Sequence, residues 1–321
     1  KDSTDADADH TKQPYLRYSF KSDATSVKTA KDTGADSYFM TTVPDDAYDD
    51  NPAATSTETV DVTKIVASAK CEDMKFWSPD SPNLYDVYTV LKDSEGNVLD
   101  VQKTTTGFRK VEYDINDGGL KINDQPVWLT GYAQRSTNEW AVIGVANDWL
   151  QDLDMQWIKE SNSNFIRWMH VAPKPSQIRS GDKYGVVSAC PAGDKEADVD
   201  GRAWDQRVEA MRDAMIYFRN SPSVIFWEAG NNAVTAAHQQ EMTDLKNTLD
   251  PNGERFCGCR TISSTDQIQA ADYVGTMLNR HASNAKASMA AIKKYVPIME
   301  TEYAREEAPR RVWDDFSPPD Y

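Results

Sequence analysis

From residue 113 onward, short apolar stretches alternate with amphipathic ones, and this alternation limits the fold more than any other feature of the sequence. Each apolar stretch has the length of a β-strand, and the stretches between them carry helical periodicity. The predicted strands are residues 127–133, 164–171, 186–192, 223–232, 259–264, 272–278 and 297–304. Strands that alternate with helices form a parallel sheet, and a (β/α)₈ barrel contains eight such units. We therefore expect a TIM barrel that is truncated before its last strand, with an open parallel sheet as the alternative.

Residues 204–219 give the clearest helical pattern. Their apolar side chains recur on one face of a helix, which predicts that this face packs against the sheet. The apolar positions are Val208, Met211, Met215, Ile216 and Phe218.

Residues 59–112 show a different pattern, in which apolar and polar residues alternate with a period of two. Such alternation is typical of strands with one buried face. Gly96 lies in a short loop, residues 93–97, between two of these stretches, which predicts a β-hairpin. Several short strands joined by turns indicate a β-sandwich. We place the sandwich domain in residues 1–112 and the barrel domain in residues 113–321.

Charge and composition argue against several classes of partner and cofactor. The chain has 35 Lys and Arg residues against 51 Asp and Glu residues, a net charge of −16. An acidic protein of this kind is a poor ligand for nucleic acid, and no apolar stretch is long enough for membrane insertion. Cys257 and Cys259 are too close for the usual zinc spacings, and phosphate-binding loops and HExxH and GxSxG motifs are absent. We therefore expect no metal and no cofactor.

The chain begins at Lys1 without a signal peptide, which is compatible with a processed or partial chain. We expect a periplasmic or secreted protein.

The predicted strand 223–232 carries a single acid in its apolar interior and ends in polar residues. Glu228 is that acid, and Asn231 and Asn232 follow Gly230. A carboxyl that points into a barrel is costly unless it is paired, so Glu228 has either a function or an ionic partner. For the second alternative, the expected partner is Arg167 in a buried salt bridge.

Several stretches resemble, in the same order along the chain, the enzymes of glycoside hydrolase family 2. FWSPDSPNLY and TGFR resemble the end of the family's immunoglobulin-like domain, and LKINDQPVWLTGYAQR resembles the entry to its TIM barrel. NFIRWMHVAP, SPSVIFWEAGNN and PIMETEYA resemble the second, fourth and seventh strands of that barrel. The similarity covers residues 60–304, while the family's N-terminal jelly-roll domain and last strand have no counterpart here. The resemblance implies an immunoglobulin-like β-sandwich followed by a TIM barrel, and exo-acting hydrolysis of β-glycosides with retention of configuration.

The resemblance assigns the nucleophile to Glu302. Retaining glycosidases need two carboxyl groups about 5–5.5 Å apart, one to attack the anomeric carbon and one to act as acid and then base. Glu302 matches the nucleophile position at the end of the seventh strand, where the active site of a TIM barrel lies. Tyr303 follows it and is expected to contact it.

The acid–base group is less clear, because Asn232 stands where the family has Glu. An amide has no titrating proton, so Asn232 cannot be a general acid. In one explanation Glu228 takes the role, although it lies roughly 13 Å deeper along an ideal strand unless a bulge at Ala229–Gly230 shortens the gap. In a second explanation, a loop acid, either Glu196 or Glu139, is the acid–base group. In a third, the protein is a carbohydrate-binding relic without activity.

The resemblance also implies a set of substrate-binding residues. Arg167 supports the nucleophile, His170 contacts the sugar, and Asn231 binds its 2-hydroxyl group, with Asn232 beside it. Trp140, in the loop after the first barrel strand, is expected to stack on the sugar.

β-Galactosides are the first expected substrates, and β-glucuronides or β-mannosides are the alternatives. A glucuronide needs cationic groups, for which Arg135, Lys174 and Arg305 are available. A carbohydrate is the only expected ligand, and a homo-oligomer is compatible with the resemblance.

Overall fold

The computed structural model describes two compact units, residues 1–73 and 74–321. The described residues are 24–26, 59–61, 73–114, 116–117, 119–135, 147–193, 197–261, 264–276 and 297–301. In the first unit, β1 (Ala24–Ser26) and β2 (Thr59–Asp61) pair in antiparallel fashion. The predicted domain boundary between residues 112 and 113 stays a prediction.

The second unit begins with short antiparallel strands. They are β3 (Trp77–Ser78), β4 (Ser81–Pro82), β5 (Tyr85–Lys92), β6 (Val98–Thr106), β7 (Val111–Asp114), β8 (Gly119–Ile122) and β9 (Gln125–Pro126). The longest pair, β5 and β6, forms the predicted hairpin. Its turn is closed by Asp93, whose carboxylate accepts hydrogen bonds from the backbone N–H groups of Glu95 and Asn97, and Gly96 adopts a φ of 90°. The hairpin prediction is confirmed.

The second unit continues as a seven-stranded parallel sheet in chain order. Its strands are β10 (Gly131–Arg135), β11 (Phe165–Met169), β12 (Val187–Pro191), β13 (Val224–Glu228), β14 (Phe256–Cys259), β15 (Tyr273–Thr276) and β16 (Ile298–Glu300). The described helices between them are α1 (Asp148–Glu160), α2 (Pro175–Tyr184), α3 (Arg202–Phe218), α4 (Ala236–Leu249) and α5 (Thr265–Ala270). A parallel sheet whose strands follow one another in chain order, with helices between them, has the topology of a TIM barrel.

All seven predicted strands are present, but their bounds differ from the prediction, most of all in β10, β13 and β14. β10 begins at Gly131, four residues after the predicted start at residue 127. β14 begins at Phe256 rather than at residue 259, because the Phe256 ring stacks on Phe226 of the neighbouring strand, with centroids 5.6 Å apart. β13 ends at Glu228, four residues earlier than predicted. The irregularity in its pairing with β12 lies between Ser188 and Ala189, not at the bulge considered at residues 229–230.

The sheet separates two apolar clusters. One lies between the strands and the helices and includes Ile166, Trp168 and the buried face of α3. That face includes the predicted Val208, Met211, Met215 and Phe218, whereas Ile216 is only partly buried. It also includes Trp204, Arg207 and Ala214. The other cluster includes Phe165 of β11, so successive residues of this strand pack on opposite faces.

The strands before the barrel are anchored at the amino ends of the barrel strands. Arg109 donates to the carbonyl oxygens of Pro222, Val224 and Gly253 at 2.6, 3.0 and 3.1 Å. Burial, together with the nearby Arg255, lowers the pKa of Arg109 to about 9. This packing occupies the amino end of the barrel, so a site on the barrel is expected at the carboxyl end.

Within the described ranges, none of the helices is both long enough and apolar enough to cross a bilayer.

Candidate active site

A buried ion pair lies near the carboxyl ends of β11 and β13. Arg167 donates from Nε to Glu228 Oε2 at 2.7 Å and from a terminal nitrogen to Oε1 at 2.5 Å. The same terminal nitrogen donates to Asn231 Oδ1 at 2.9 Å. Both charged side chains are 1% exposed. The predicted salt bridge between Arg167 and Glu228 is therefore confirmed, and it reaches Asn231 as well.

This geometry limits what Glu228 does chemically. Both of its oxygens accept hydrogen bonds from one guanidinium, which has only donors. In this arrangement Arg167 engages both carboxylate oxygens of Glu228. The geometry therefore supports a role for Glu228 in holding Arg167, and its assignment as the acid–base group stays a prediction.

Glu228 and Asn231 lie closer together than a continuous strand would allow. Because β13 ends at Glu228, residues 229–232 leave the regular strand, and the side chains of Glu228 and Asn231 meet on the same guanidinium. The sequence estimate of the distance to Asn232 assumed an ideal strand, so it does not apply here.

Arg260 is a site residue that the sequence reasoning missed. It directly follows β14 and is 6% exposed. Its Nε donates to the carbonyl oxygen of Asn231, and a terminal nitrogen donates to Asn232 Oδ1, both at 2.6 Å. Its backbone N–H donates to the carbonyl oxygen of Gly230 at 3.1 Å. Arg260 is the second residue of the predicted strand 259–264, and no local signal in the sequence places it against Asn232.

The neighbouring thiol also holds the loop that carries the two asparagines. Cys259 Sγ lies 3.0 and 2.8 Å from the carbonyl oxygens of Gly230 and Asn232, so its single S–H donates to one of them at a time. Burial raises the pKa of Cys259 to about 12, so the thiol stays protonated and keeps its donor.

A second anchor of this loop lies at the start of α4. The carboxylate of Asp198 accepts from the backbone N–H of Thr235 at 2.8 Å and contacts His238 Nδ1 at 2.9 Å. Thr235 caps α4, since its hydroxyl accepts from the N–H of His238. The His238 ring stacks on Trp204 of α3, with centroids 3.8 Å apart. These contacts tie the segment after β12 to the segment after β13.

His170 and Glu300 lie at different strands of the sheet, β11 and β16, which are not neighbours in the described strand order. His170 directly follows β11 and is buried, so the structure brings it to the same strand end as Arg167. Glu300 accepts a hydrogen bond from Thr276 Oγ1 at 2.8 Å. Met299 packs with the Phe165 cluster, so Glu300 points to the opposite face of β16.

The remaining predicted site residues lie outside the described residues: Glu302, Tyr303, Trp140, Glu139, Glu196 and Arg305, together with the side chain of Arg135. Lys174 immediately precedes α2. Thr301, next to Glu302, is described, and its hydroxyl lies 3.0 and 3.2 Å from the carbonyl oxygens of Thr276 and Arg260, so its single O–H donates to one of them at a time. The chain segment that leads to Glu302 therefore ends beside Arg260.

Among the described side chains, no three His, Cys, Asp or Glu residues are grouped so that they could hold a metal ion.

Comparison with known proteins places these residues in a family. Residues 10–109 match the family model described as glycosyl hydrolases family 2, and residues 113–310 match the model of its TIM barrel domain. These two matches and the parallel sheet confirm the predicted fold class of a β-sandwich followed by a TIM barrel.

Individual proteins show the same similarity. A β-glucuronidase of Formosa agariphila is 35% identical over 260 residues, which cover 80% of this chain and 25% of that protein. A β-galactosidase of Photobacterium profundum is 28% identical over 188 residues, which cover 55% of this chain and 18% of that protein. The solved structure of a family 2 β-glucuronidase aligns with a TM-score of 0.62 and 33% identity, over 77% of this chain and 25% of that one. The chain thus spans about a quarter or less of the length of these proteins.

Proposed function

The chain belongs to glycosyl hydrolase family 2, and from this premise we propose that it hydrolyses terminal β-linked sugars with retention of configuration. The observation that carries the proposal is the match of residues 113–310 to the family's barrel domain, a range that includes Glu302. The polar groups at the carboxyl ends of β11, β13 and β14 support it, because TIM barrel enzymes place their active sites at this end.

In the proposed mechanism Glu302 is the nucleophile. Its carboxylate attacks the anomeric carbon, and the aglycone oxygen leaves with the electron pair of the glycosidic bond. A proton from the acid–base group reaches that oxygen, and water then hydrolyses the covalent glycosyl-enzyme. Asn231 is positioned by Arg167 to bind the 2-hydroxyl group, a contact that strengthens in the transition state of such reactions. No step requires a cofactor.

For the acid–base group, the proposal retains Glu228, Glu196 and Glu139 as candidates. The bidentate contact of Glu228 with Arg167 favours one of the two loop acids. A non-catalytic carbohydrate-binding protein remains the rival proposal because Asn232 replaces the usual acid.

A β-glucuronide is our first candidate substrate, and a β-galactoside is the second. The relative that is 35% identical over 80% of this chain is a β-glucuronidase, and this similarity favours the glucuronide over the galactoside that the sequence motifs indicated first. The galactoside is favoured by the β-galactosidase relatives at lower identity.

The experiment that tests the proposal is mass spectrometry of the intact chain after mixing with activated 2-deoxy-2-fluoro β-glycosides. Glucuronide, galactoside, glucoside and mannoside reagents would be compared. Their leaving groups need little acid assistance, so the result does not depend on the identity of the acid–base group. We expect one adduct, from the glucuronide, that maps to Glu302.

The matched control is Glu302→Gln, which keeps the shape of the side chain and removes the nucleophile, so we expect it to form no adduct. An adduct at another carboxylate would refute the assignment of Glu302. A folded chain that forms no adduct with any of the four reagents would refute the proposed hydrolysis and leave carbohydrate binding as the remaining proposal.

A further inference from the structure

Two arginines hold the two asparagines that follow β13. Arg167, from β11, donates to Asn231 Oδ1, and Arg260, at the end of β14, donates to Asn232 Oδ1. Arg260 also holds the peptide between the two asparagines, through the carbonyl oxygen of Asn231. The loop is therefore fixed both through its backbone and through its side chains.

These contacts settle which way the Asn232 amide is turned. A guanidinium carries only donors, so the amide atom that faces Arg260 is the oxygen. Because the amide is planar, the –NH₂ group of the same side chain then points away from Arg260. Asn232 is only partly buried, whereas Asn231 is buried, so part of the Asn232 residue is accessible to solvent or to a ligand.

The backbone of Arg260 and the residue before it are hydrogen-bonded to the neighbouring segments. Its backbone N–H binds Gly230, and its carbonyl oxygen accepts from the hydroxyl of Thr301, the residue before Glu302. Cys259, the preceding residue, binds the carbonyl oxygen of Asn232. Arg260 therefore connects three elements that meet at the proposed active site: the end of β14, the loop after β13 and the segment that follows β16.

We propose that Arg260 is a positioning residue that turns the Asn232 amide so that its –NH₂ group donates a hydrogen bond to an oxygen of the bound sugar. This inference rests on the proposed function, since it requires a carbohydrate at the carboxyl end of the barrel. In this arrangement Asn232 supplies a fixed donor to the substrate without transferring a proton. Arg260 acts through Asn232 rather than through direct contact with the sugar.

The test is calorimetric binding of phenyl 1-thio-β-D-glucuronide and phenyl 1-thio-β-D-galactoside to the full chain. These analogues have a sulfur in place of the glycosidic oxygen, so binding is measured without turnover. The variants are Arg260→Lys, Asn232→Asp and the double variant. Lysine keeps the charge but cannot make the two contacts in the same geometry. Aspartate keeps the shape and the contact with Arg260 but replaces the –NH₂ donor with an oxygen.

The matched control is Arg255→Lys. Arg255 lies just before β14, at the opposite end of the strand from Arg260, and is equally buried at 6% exposed. Its contacts are with Asp250 and with the carbonyl oxygens of Arg219, Ser221 and Val224. Its replacement should lower thermal stability without changing the affinity of the folded chain.

We expect Arg260→Lys and Asn232→Asp each to weaken binding about tenfold, the size of one lost hydrogen bond. The double variant should bind about as weakly as either single variant, because both changes remove the same donor. Wild-type affinity in Asn232→Asp, or losses that multiply in the double variant, would overturn the inference while leaving the proposed function intact. If Arg260→Lys does not fold, the affinity of Asn232→Asp alone tests the inference, and wild-type affinity in that variant would overturn it. A folded wild-type chain that binds neither analogue would overturn both the inference and the proposed function.

Discussion

Replacing Glu228 with Gln tests whether this residue balances a buried charge or supplies a proton. The carboxylate and the Arg167 guanidinium are each 1% exposed and share two hydrogen bonds. Removing one partner of a buried pair leaves the other charge uncompensated, which costs about 3–5 kcal/mol. Gln retains one acceptor for Arg167, so we expect a loss near the lower end, about 3 kcal/mol of unfolding free energy.

The assay is urea unfolding at pH 7, followed by tryptophan fluorescence. Glu228→Gln, Arg167→Met and the double variant complete a thermodynamic cycle. Replacing both charged partners is often close to neutral, so the double variant should be more stable than the two separate losses predict, by about 2 kcal/mol or more. Additive losses, within about 0.5 kcal/mol, would show that the two residues do not stabilise each other and would refute the reasoning.

The same variant separates the two roles of Glu228 by activity. A charge-balancing role predicts that Glu228→Gln loses stability and that turnover of activated and unactivated glycosides falls by similar factors. An acid–base role predicts, in addition to the loss of stability, a much larger loss of turnover with unactivated than with activated glycosides, and recovery of the turnover of activated glycosides by added azide. The second outcome would restore Glu228 as the acid–base group.

Two further substitutions and one labelling experiment test the fold around the site. Burial raises the pKa of Asp182 to about 6 from 3.8, so this group contributes stability at low pH that is lost as the pH rises through 6. The variant Asp182→Asn keeps an acceptor for the Ser223 N–H. In urea unfolding, its free energy of unfolding relative to wild type should rise by up to about 3 kcal/mol between pH 4 and pH 7. A difference between variant and wild type that does not change with pH would contradict the raised pKa. In Gly275→Ala the new Cβ would clash with the backbone carbonyl oxygens of Cys259 and Arg260. The melting temperature should therefore fall by the equivalent of about 2 kcal/mol or more. An unchanged melting temperature would argue against this close packing. The Cys259 thiol, whose pKa burial raises to about 12, should react with a disulfide reagent only after unfolding, and rapid labelling of the native chain at this residue would refute its burial.

The sequence predicts the order and type of the barrel strands well, because each strand is a short apolar stretch between stronger helical patterns. The bounds are less well predicted where tertiary packing decides them. β14 begins at Phe256 because its ring stacks on Phe226. α5 has only six residues, too few for a periodic apolar face, and the only local signal for it is the S-x-x-Q sequence at its start, where Ser264 accepts from the N–H of Gln267.

In the candidate site, too, the sequence predicts some contacts, and others depend on tertiary packing. The pairing of Arg167 with Glu228 is predictable, because a buried carboxylate needs a cation and the second barrel strand carries one. The contact of Arg260 with Asn232 is not, because it depends on the register between β13 and β14 and on where each strand ends. The role of Glu302 stays a prediction that rests on its position in the family's motif.

The two arginines also bear on why this site carries an amide at position 232. Arg167 already holds one carboxylate, Glu228, in a bidentate pair, and Arg260 lies against Asn232 at 2.6 Å. A carboxylate at position 232 would meet Arg260 as Glu228 meets Arg167. An arginine at that distance stabilises the ionised form of an acid and so opposes proton donation. Arg260 as the donor and the Asn232 amide oxygen as the acceptor therefore match each other. A proton for the aglycone, where one is needed, would come from another part of the site.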